Sequence, residues 1–285
     1  MSGEFANLAA VVENDVAGAL VEDIGSGDLT AQLIPADRRA RAAVISRLSA
    51  VICGAAWFNA VFRKLDPQAD IQWSGTGGDG NLVRPNQQLC TLEGNARALL
   101  TGERTALNFL QTLSAVATAT RRYVEAVKGT RAQIVDTRKT LPGLRSAEKY
   151  AVRVGGGVNH RIGLFDGILI KENHIAAAGG IAAALEQAQR AAPPNVSIQV
   201  EVENLDQLCE ALAAGARTIL LDNMNLERLK EAVKLTAGRA QLEASGGVTL
   251  ENVRAIAETG VDRISIGGLT KDIQAVDLSL RFESE

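Results

Sequence analysis

Between Asp136 and Ile175 the chain reads DTRKTLPGLRSAEKYAVRVGGGVNHRIGLFDGILIKENHI. From Arg131 to Arg161 it carries seven Arg or Lys against two Asp or Glu, in a protein of formal net charge −3. A local cationic surplus in a mildly acidic chain suits a small polyanionic ligand. Nucleic acid would call for a longer basic track with stacking aromatics, and aromatics make up only 4% of this chain. Both histidines, His160 and His174, fall in the same stretch. Taken alone, the pattern also fits a salt-bridged surface helix with two structural histidines.

The segments downstream separate those readings. Strands are expected at 132–136, 167–171, 198–202, 218–222, 241–244 and 263–266, and helices at 144–154, 181–191, 205–214, 226–235 and 250–258. Glu201, Asp222, Ser245 and Gly267 stand at successive strand ends, 21, 23 and 22 residues apart, the length of one βα unit. Repeated βα units imply parallel strands, right-handed crossovers and helices outside. Six strands are legible, so the expected fold is α/β, an incomplete parallel β/α barrel with an α+β N-terminal domain.

Such a barrel works at the C-terminal ends of its strands. Those ends read Asp136-Thr137-Arg138-Lys139, Lys171-Glu172-Asn173-His174, Glu201 with Glu203, Asp222-Asn223, Ser245-Gly246-Gly247 and Gly267-Gly268. Stability alone does not require charge or glycine at every exit. The backbone N–H groups of the two glycine pairs can cradle a phosphate, and barrels often hold one on their last two loops. Glu201 and Asp222 can hold Mg2+, directly or through water, or accept sugar hydroxyls. For Asp222 the bland alternative is a cap on the following helix.

The first part of the chain lacks the βα rhythm. A helix is expected at 7–22, a polar loop at Glu22–Thr30 (EDIGSGDLT), and a β-leaning run at 41–52. A helix at 54–66, ended by Pro67, and short strands at 71–73 and 88–92 follow. Residues 96–128 have helical composition, and their length suggests a break near Leu113-Ser114. Arg104, within GERTALNFLQTLSAVAT, either pairs with a neighbour or points into a site. The expected division is an α+β domain over 1–112, the barrel over 113–269, and a tail over 270–285 that packs back on the first domain.

Composition is that of a globular protein, with 46% hydrophobic and 22% charged residues. No stretch approaches the roughly 18 to 20 apolar residues of a membrane span. The opening MSGEFANLAAVVEND has no basic n-region, so it does not read as a secretory or transit peptide. Cys53, Cys90 and Cys209 form no CxxC, which argues against a disulfide framework or zinc site and suits a reducing cytoplasm. Cys209 shares a helical stripe with Leu205, Leu208 and Leu212 and is expected in the core. Arg145, Lys149 and Arg153, at i, i+4 and i+8, form a stripe that could face the site, a partner or water, with solvent the default expectation.

Together these residues resemble the quinolinate phosphoribosyltransferase family. The likeness runs from EDIGSGDLT through GERTALNFLQTLSAVAT, DTRKTLPGLR, YAVRVGGGVNHRIGLFD, ILIKENHI, VEVEN, LLDNM and LEASGGVT to SIGGLT, over residues 20–280. It departs at Gly268, where the family often has Ala. The resemblance implies conversion of quinolinate and phosphoribosyl pyrophosphate to nicotinate mononucleotide, pyrophosphate and carbon dioxide, with Mg2+, in NAD biosynthesis. It implies that Arg104, Arg138 and Arg161 bind the acceptor's carboxylates, with Thr137, His160 and Lys171 nearby. It also implies that Lys139 and Lys171 face the pyrophosphate and phosphoribosyl part, and that Glu201 and Asp222 face the ribose hydroxyls and Mg2+. Ser245, Gly246, Gly247, Gly267 and Gly268 would hold the 5′-phosphate. Lys139, Lys171, Glu201 and Asp222 are the implied catalytic set. The resemblance further implies a homodimer or larger homo-oligomer with Arg104 reaching into the neighbouring subunit, and neither nucleic acid nor membrane as a partner. Two other classes stay open from the residues alone. One is a Schiff-base aldolase using Lys171. The other is a non-catalytic phosphosugar-binding protein, which leaves the cationic wall and acidic pair without a task.

Overall fold

The computed structural model describes residues 7–283; the first six residues of the opening stretch and the last two of the expected tail lie outside it. In chain order the elements begin with α1 (Leu8–Ile24), a 3-10 turn (Ala31–Leu33), β1 (Arg39–Ser46), β2 (Ala50–Val51), α2 (Ala55–Leu65), β3 (Asp70–Trp73), β4 (Leu82–Val83), β5 (Gln88–Asn95) and α3 (Ala96–Ala126). They continue with β6 (Gln133–Val135), α4 (Arg145–Gly155), β7 (Gly167–Ile170), α5 (Glu172–Ala178), α6 (Ile181–Ala191), β8 (Ser197–Val202) and α7 (Leu205–Ala213). The last are β9 (Thr218–Asp222), α8 (Leu226–Thr236), β10 (Gln241–Ser245), α9 (Val253–Glu258), β11 (Arg263–Ser265), α10 (Gly268–Lys271) and β12 (Leu278–Phe282). Two compact units share this chain. The first takes residues up to Arg121, Thr140–Gly156 and the chain from Thr270 onward; the second takes Arg122–Lys139 and Gly157–Leu269.

The first unit is built on an antiparallel sheet in the order β12-β1-β5-β3. The last strand therefore lies beside the first, with Val44 opposite Leu280. Helix α2 buries Trp57, Phe58, Val61 and Phe62 along one face. The Phe58 ring meets those of Phe62 and Trp73 with centroids 5.0 and 5.4 Å apart. Each such side chain contributes ~1.5–3 kcal/mol of burial. Asp79 caps α2 from outside the helix, accepting from Gly54 N and Ala55 N at 3.0 and 2.9 Å, and from the Tyr150 hydroxyl at 2.9 Å.

The break expected near Leu113-Ser114 is absent, because α3 runs unbroken for 31 residues. Both residues are buried, and Ser114 Oγ accepts from Cys53 N and donates to Cys53 O. The serine thus completes a neighbouring chain instead of competing with its own helix. The linear division at residue 112 is also replaced by an interleaved one. Helix α4 was expected in the barrel domain, yet Ala147, Ala151 and Val152 join the core of the first unit. A side chain at Gly155 would lie 2.6 Å from Ala117 O, so α4 reaches α3 only through glycine. The cationic stripe of α4 does not all face solvent. Lys149 is fully buried, Arg145 is half-buried with Nε on Thr140 Oγ1 at 3.0 Å, and Arg153 alone is exposed.

The second unit carries six parallel strands in the order β6-β11-β10-β9-β8-β7. Numbered within the unit, that order is first, sixth, fifth, fourth, third, second, so the first two strands form the two edges of the sheet. The strands alternate. Val200, Val202, Ile219, Leu221, Leu242, Ala244 and Ile264 are buried on one face, and the alternate positions include Gln199, Glu201, Asp222, Glu243 and Ser245. Fully covered parallel strands usually read as unbroken apolar runs. Here one face has been given over to polar groups. Asn204 caps α7 by accepting from Gln207 N at 2.9 Å, while the Gln207 amide accepts from Glu203 N. Helix α7 buries Leu208 and Ala211, and a step of about 100° carries Cys209 out to solvent, against the expectation of a core cysteine.

Candidate active site

Sheet register brings the strand exits together in pairs. Ser265 is level with Val135, and Ile266 N donates to Val135 O at 2.9 Å. Gly267 therefore arrives against the first exit: a Cβ there would lie 2.9 Å from Lys139 Cδ and 3.6 Å from Thr137 Oγ1. Thr137 Oγ1 accepts from Lys139 N at 3.1 Å and curls that exit. Asp222 is level with Ser245. Ile170 is level with Val200, which sets Lys171 beside Glu201. Lys171 Nζ donates to Glu201 Oε1 and Oε2 at 3.2 and 3.0 Å, with the lysine side chain 45% and the glutamate 12% exposed. An imine-forming lysine is normally desolvated or set beside another cation. A half-exposed, ion-paired Lys171 does not meet that condition, and the aldolase reading loses its support.

A second chain of contacts holds the GGGVNHR segment. Val158 runs alongside β6, its N–H donating to Ile134 O at 2.9 Å and its O accepting from Asp136 N at 3.2 Å. The buried Asp136 carboxylate then accepts from His160 N at 2.8 Å and Asn159 Nδ2 at 2.5 Å. His160 Nδ1 accepts from Arg161 N at 2.7 Å. That bond leaves the ring proton on Nε2, which donates to Gln199 Oε1 at 2.9 Å. Gln199 Nε2 donates in turn to Glu243 Oε2 at 3.2 Å, and Glu243 Oε1, 3.7 Å from His160 Nε2, has no hydrogen-bond partner among the described residues. Arg161 is braced by Nη1 donating to Gly167 O at 2.8 Å. Burial, then the neighbouring Arg138 guanidinium, push Arg161 below its ordinary pKa, and Asp166 opposes them. Arg138 and Arg161 thus stand near enough for each charge to act on the other.

Comparison with known proteins decides the family. A model described as quinolinate phosphoribosyl transferase, C-terminal domain, matches residues 116–281, and its N-terminal counterpart matches residues 28–114. The chain belongs to the quinolinate phosphoribosyltransferase family. It is 45% identical over 260 residues to a probable nicotinate-nucleotide pyrophosphorylase [carboxylating] of Bacillus subtilis, covering 91% of this chain and 89% of that one. The Mycobacterium leprae nicotinate-nucleotide pyrophosphorylase [carboxylating] is 43% identical over 267 residues, covering 92% and 94%. The solved structure of the nicotinate-nucleotide pyrophosphorylase from Francisella tularensis superposes with a TM-score of 0.92 at 46% identity over 96% of each chain.

Within this quinolinate phosphoribosyltransferase fold, Thr137, Arg138, Lys139, His160, Arg161, Lys171, Glu201, Asp222, Ser245, Gly246, Gly247, Gly267 and Gly268 all belong to the second unit. Arg104 does not; it is exposed on α3 in the first unit. The loop EDIGSGDLT is strapped to the same helix, Asp23 to Thr105 Oγ1 at 3.0 Å and Asp28 to Thr101 Oγ1 at 2.8 Å. The capping alternative for Asp222 is displaced by Asn225, whose side chain accepts from Arg228 N at the start of α8. At the Lys171-Glu172-Asn173-His174 exit, only Lys171 was expected in the site, and its side chain reaches Glu201. Glu172 opens α5, and His174 Nδ1 accepts from Lys171 N at 3.0 Å as a cap, so this histidine is structural. The +5 surplus is also divided: Arg145, Lys149 and Arg153 belong to the first unit, and Arg131 pairs with Asp262. Gln199 and Glu243 were missed. Their signal was a polar residue in the middle of each predicted strand, where an apolar one would serve packing better.

Proposed function

We propose that this protein is a quinolinate phosphoribosyltransferase that makes nicotinate mononucleotide, pyrophosphate and carbon dioxide from quinolinate and phosphoribosyl pyrophosphate in NAD biosynthesis. The observation that supports it best is the set of exits of one parallel sheet, where Lys171 pairs with Glu201, Asp222 is level with Ser245, and Gly267 lies against Lys139, in the same unit as Arg138 and Arg161. Arg138 and Arg161 take the two adjacent carboxylates of quinolinate. His160, with both ring nitrogens bound inside the protein, serves mainly by fixing the backbone of Arg161. Lys139 and Lys171 face the pyrophosphate and phosphoribosyl groups, and Ser245, Gly246, Gly247, Gly267 and Gly268 hold the 5′-phosphate.

In the reaction the pyridine nitrogen attacks the ribosyl C1 carbon as the bond from C1 to pyrophosphate breaks. Lys139 and Lys171 neutralise charge growing on the leaving group. The cationic pyridine ring then accepts the electron pair of the carbon–carbon bond that releases carbon dioxide, and that ring carbon takes a proton. No covalent bond to the protein is needed, and holding both anions in line supplies much of the rate.

Among the described residues no group of three or more His, Cys, Asp or Glu is arranged to hold a metal. Glu201 and Asp222 nevertheless suit Mg2+, which is commonly held by one or two carboxylates plus substrate phosphates. Each meets a nearby donor, Lys171 or Asn223, that keeps its carboxylate in place. Bound Mg2+ would supply positive charge to the pyrophosphate.

We place Arg104 in the site of a neighbouring subunit of a homodimer or larger assembly. Mixing Arg104→Ala with Lys139→Ala protein should then recover activity in mixed oligomers; verified subunit exchange without recovery would remove Arg104 from that role. Among the described residues no helix is long and apolar enough to cross a membrane. The three cysteines are free, which suits the reducing cytoplasm where we place the reaction. The deciding assay is carbon dioxide release from carboxyl-labelled quinolinate. Release that depends on phosphoribosyl pyrophosphate is the expected result, and its absence would overturn the reading.

A further inference from the structure

Asn223, the donor to Asp222, also reaches the glycine loop after β10. It follows Asp222, and its backbone N–H donates to Ser245 O at 2.9 Å, extending the β9–β10 ladder by one bond. Its φ is 53°, one of four positive values among the described non-glycine residues, and it falls at a strand exit. Left-handed backbone is tolerated best by asparagine after glycine, and elsewhere it is a strained choice. The turn brings the side chain back over the preceding residue. Asn223 Nδ2 donates to Asp222 Oδ2 at 2.7 Å.

The other end of the same amide meets the glycine loop. A Cβ on Gly246 would fall on Asn223 Oδ1 and within 2.7 Å of its Cγ. Gly246 also has φ 98°, and Gly247 has φ 59° with open space where a side chain would stand. On the far side the loop is held by Asn252, whose Nδ2 donates to Gly247 O at 2.9 Å and whose Oδ1 accepts from Thr249 N at 2.8 Å. The glycine pair is thus clasped between two asparagines, one of which also holds Asp222.

We propose that Asn223 is a positioning residue that couples the ribose-and-metal carboxylate of Asp222 to the phosphate loop at Gly246. One planar amide aims the carboxylate with its nitrogen and fills the space above Gly246 with its oxygen. The donor phosphoribosyl group is therefore gripped at its ribose and its 5′-phosphate by a single rigid piece. This rests on the transferase reading and goes beyond it, because it assigns donor affinity to a residue that need not touch the donor.

The test uses Asn223→Gly, which keeps the left-handed backbone available and removes the amide. The KM for phosphoribosyl pyrophosphate should rise roughly ten-fold, the scale of one lost hydrogen bond to a carboxylate. Quinolinate affinity should stay at the wild-type value. The thermal midpoint should move by less than about 3 °C, which separates the effect from unfolding. A cycle sharpens the test. Gly246→Ala should cost on the order of 100-fold in donor kcat/KM with Asn223 present, and at least about ten-fold less in the Asn223→Gly background, because the two side chains compete for one space. Unchanged donor KM in Asn223→Gly, or the same Gly246→Ala penalty in both backgrounds, would overturn the proposal. Calorimetry with phosphoribosyl pyrophosphate and with inorganic phosphate keeps the two readings apart. Wild-type binding that Asn223→Gly weakens, without carbon dioxide release, would retire the transferase reading and leave the clasp standing. A wild-type protein that binds neither would retire both.

Discussion

The two units use buried polar groups in opposite ways. In the first, several are tied to hold elements together: Asp79 closes the start of α2 and anchors Tyr150, and Ser114 completes Cys53. In the second, the polar groups line one face of a parallel sheet and lead toward its exits, ending in Lys171–Glu201 and in Arg161. The first arrangement spends hydrogen bonds on stability, where each contributes ~0.5–1.5 kcal/mol. The second leaves charge where a ligand can use it. A charge in a sequence is therefore no guide to function until its unit is known.

The sharpest way to break this comparison is to remove one large group from each unit. Lys171→Ala should lower kcat by ~10²–10³-fold, the range for losing a single charge-stabilising donor. Its urea midpoint should barely move, because a half-exposed ion pair contributes at most ~1 kcal/mol. Trp57→Ala should do the reverse, costing ~3–5 kcal/mol of stability while the remaining folded protein turns over normally. A Lys171→Ala protein that unfolds, or a Trp57→Ala protein that is stable but slow, would erase the distinction.

Glu148 gives the next largest effect. Burial raises its carboxyl to about 7, against the Leu141 N–H bond and Arg145, which pull it down. The folded chain thus keeps a proton that the unfolded chain releases near pH 4.5. That stabilising contribution is complete below pH 4.5 and is lost as pH rises through about 7, at up to ~1.4 kcal/mol per unit. Glu148→Gln should flatten this slope in urea titrations across that window, and an unchanged slope would show that another group carries it.

Glu243→Gln should be the mildest change. It keeps the shape and removes the charge behind Gln199 and His160. The KM for quinolinate should rise by roughly three- to ten-fold, with kcat little altered and stability intact. A variant that unfolds instead would place Glu243 with the stabilising groups of the first unit.

Much of this was legible in the residues. The βα rhythm from Gly129 gave all six parallel strands because period-two apolar faces and glycine-rich exits are local signals. The exits at Lys171, Glu201, Asp222 and Ser245 followed from strand length alone. The rest depended on packing that no local pattern encodes. Helix α4 reads as one more outer helix of a barrel, and only its packing, through Ala147, Ala151, Val152 and Gly155, shows that it serves the other core. Lys149 looked solvated because its charge is visible in sequence and its burial is not. The break expected in α3 came from a length prior, and the buried Leu113 and Ser114 overrode it. Gln199 and Glu243 were hidden in strands whose neighbours are apolar, so the period was visible and the network behind it was not.

The pairing of β12 with β1 has a consequence for biosynthesis. A ribosome makes β1 (Arg39–Ser46) more than two hundred residues before β12 (Leu278–Phe282) emerges. Until then one margin of the nascent sheet offers bare N–H and C=O groups to any passing chain. The parallel array is translated in that interval, so the part that starts first must finish last. Growing polypeptides stalled anywhere before the final strand are thus the species most in need of a chaperone's shelter.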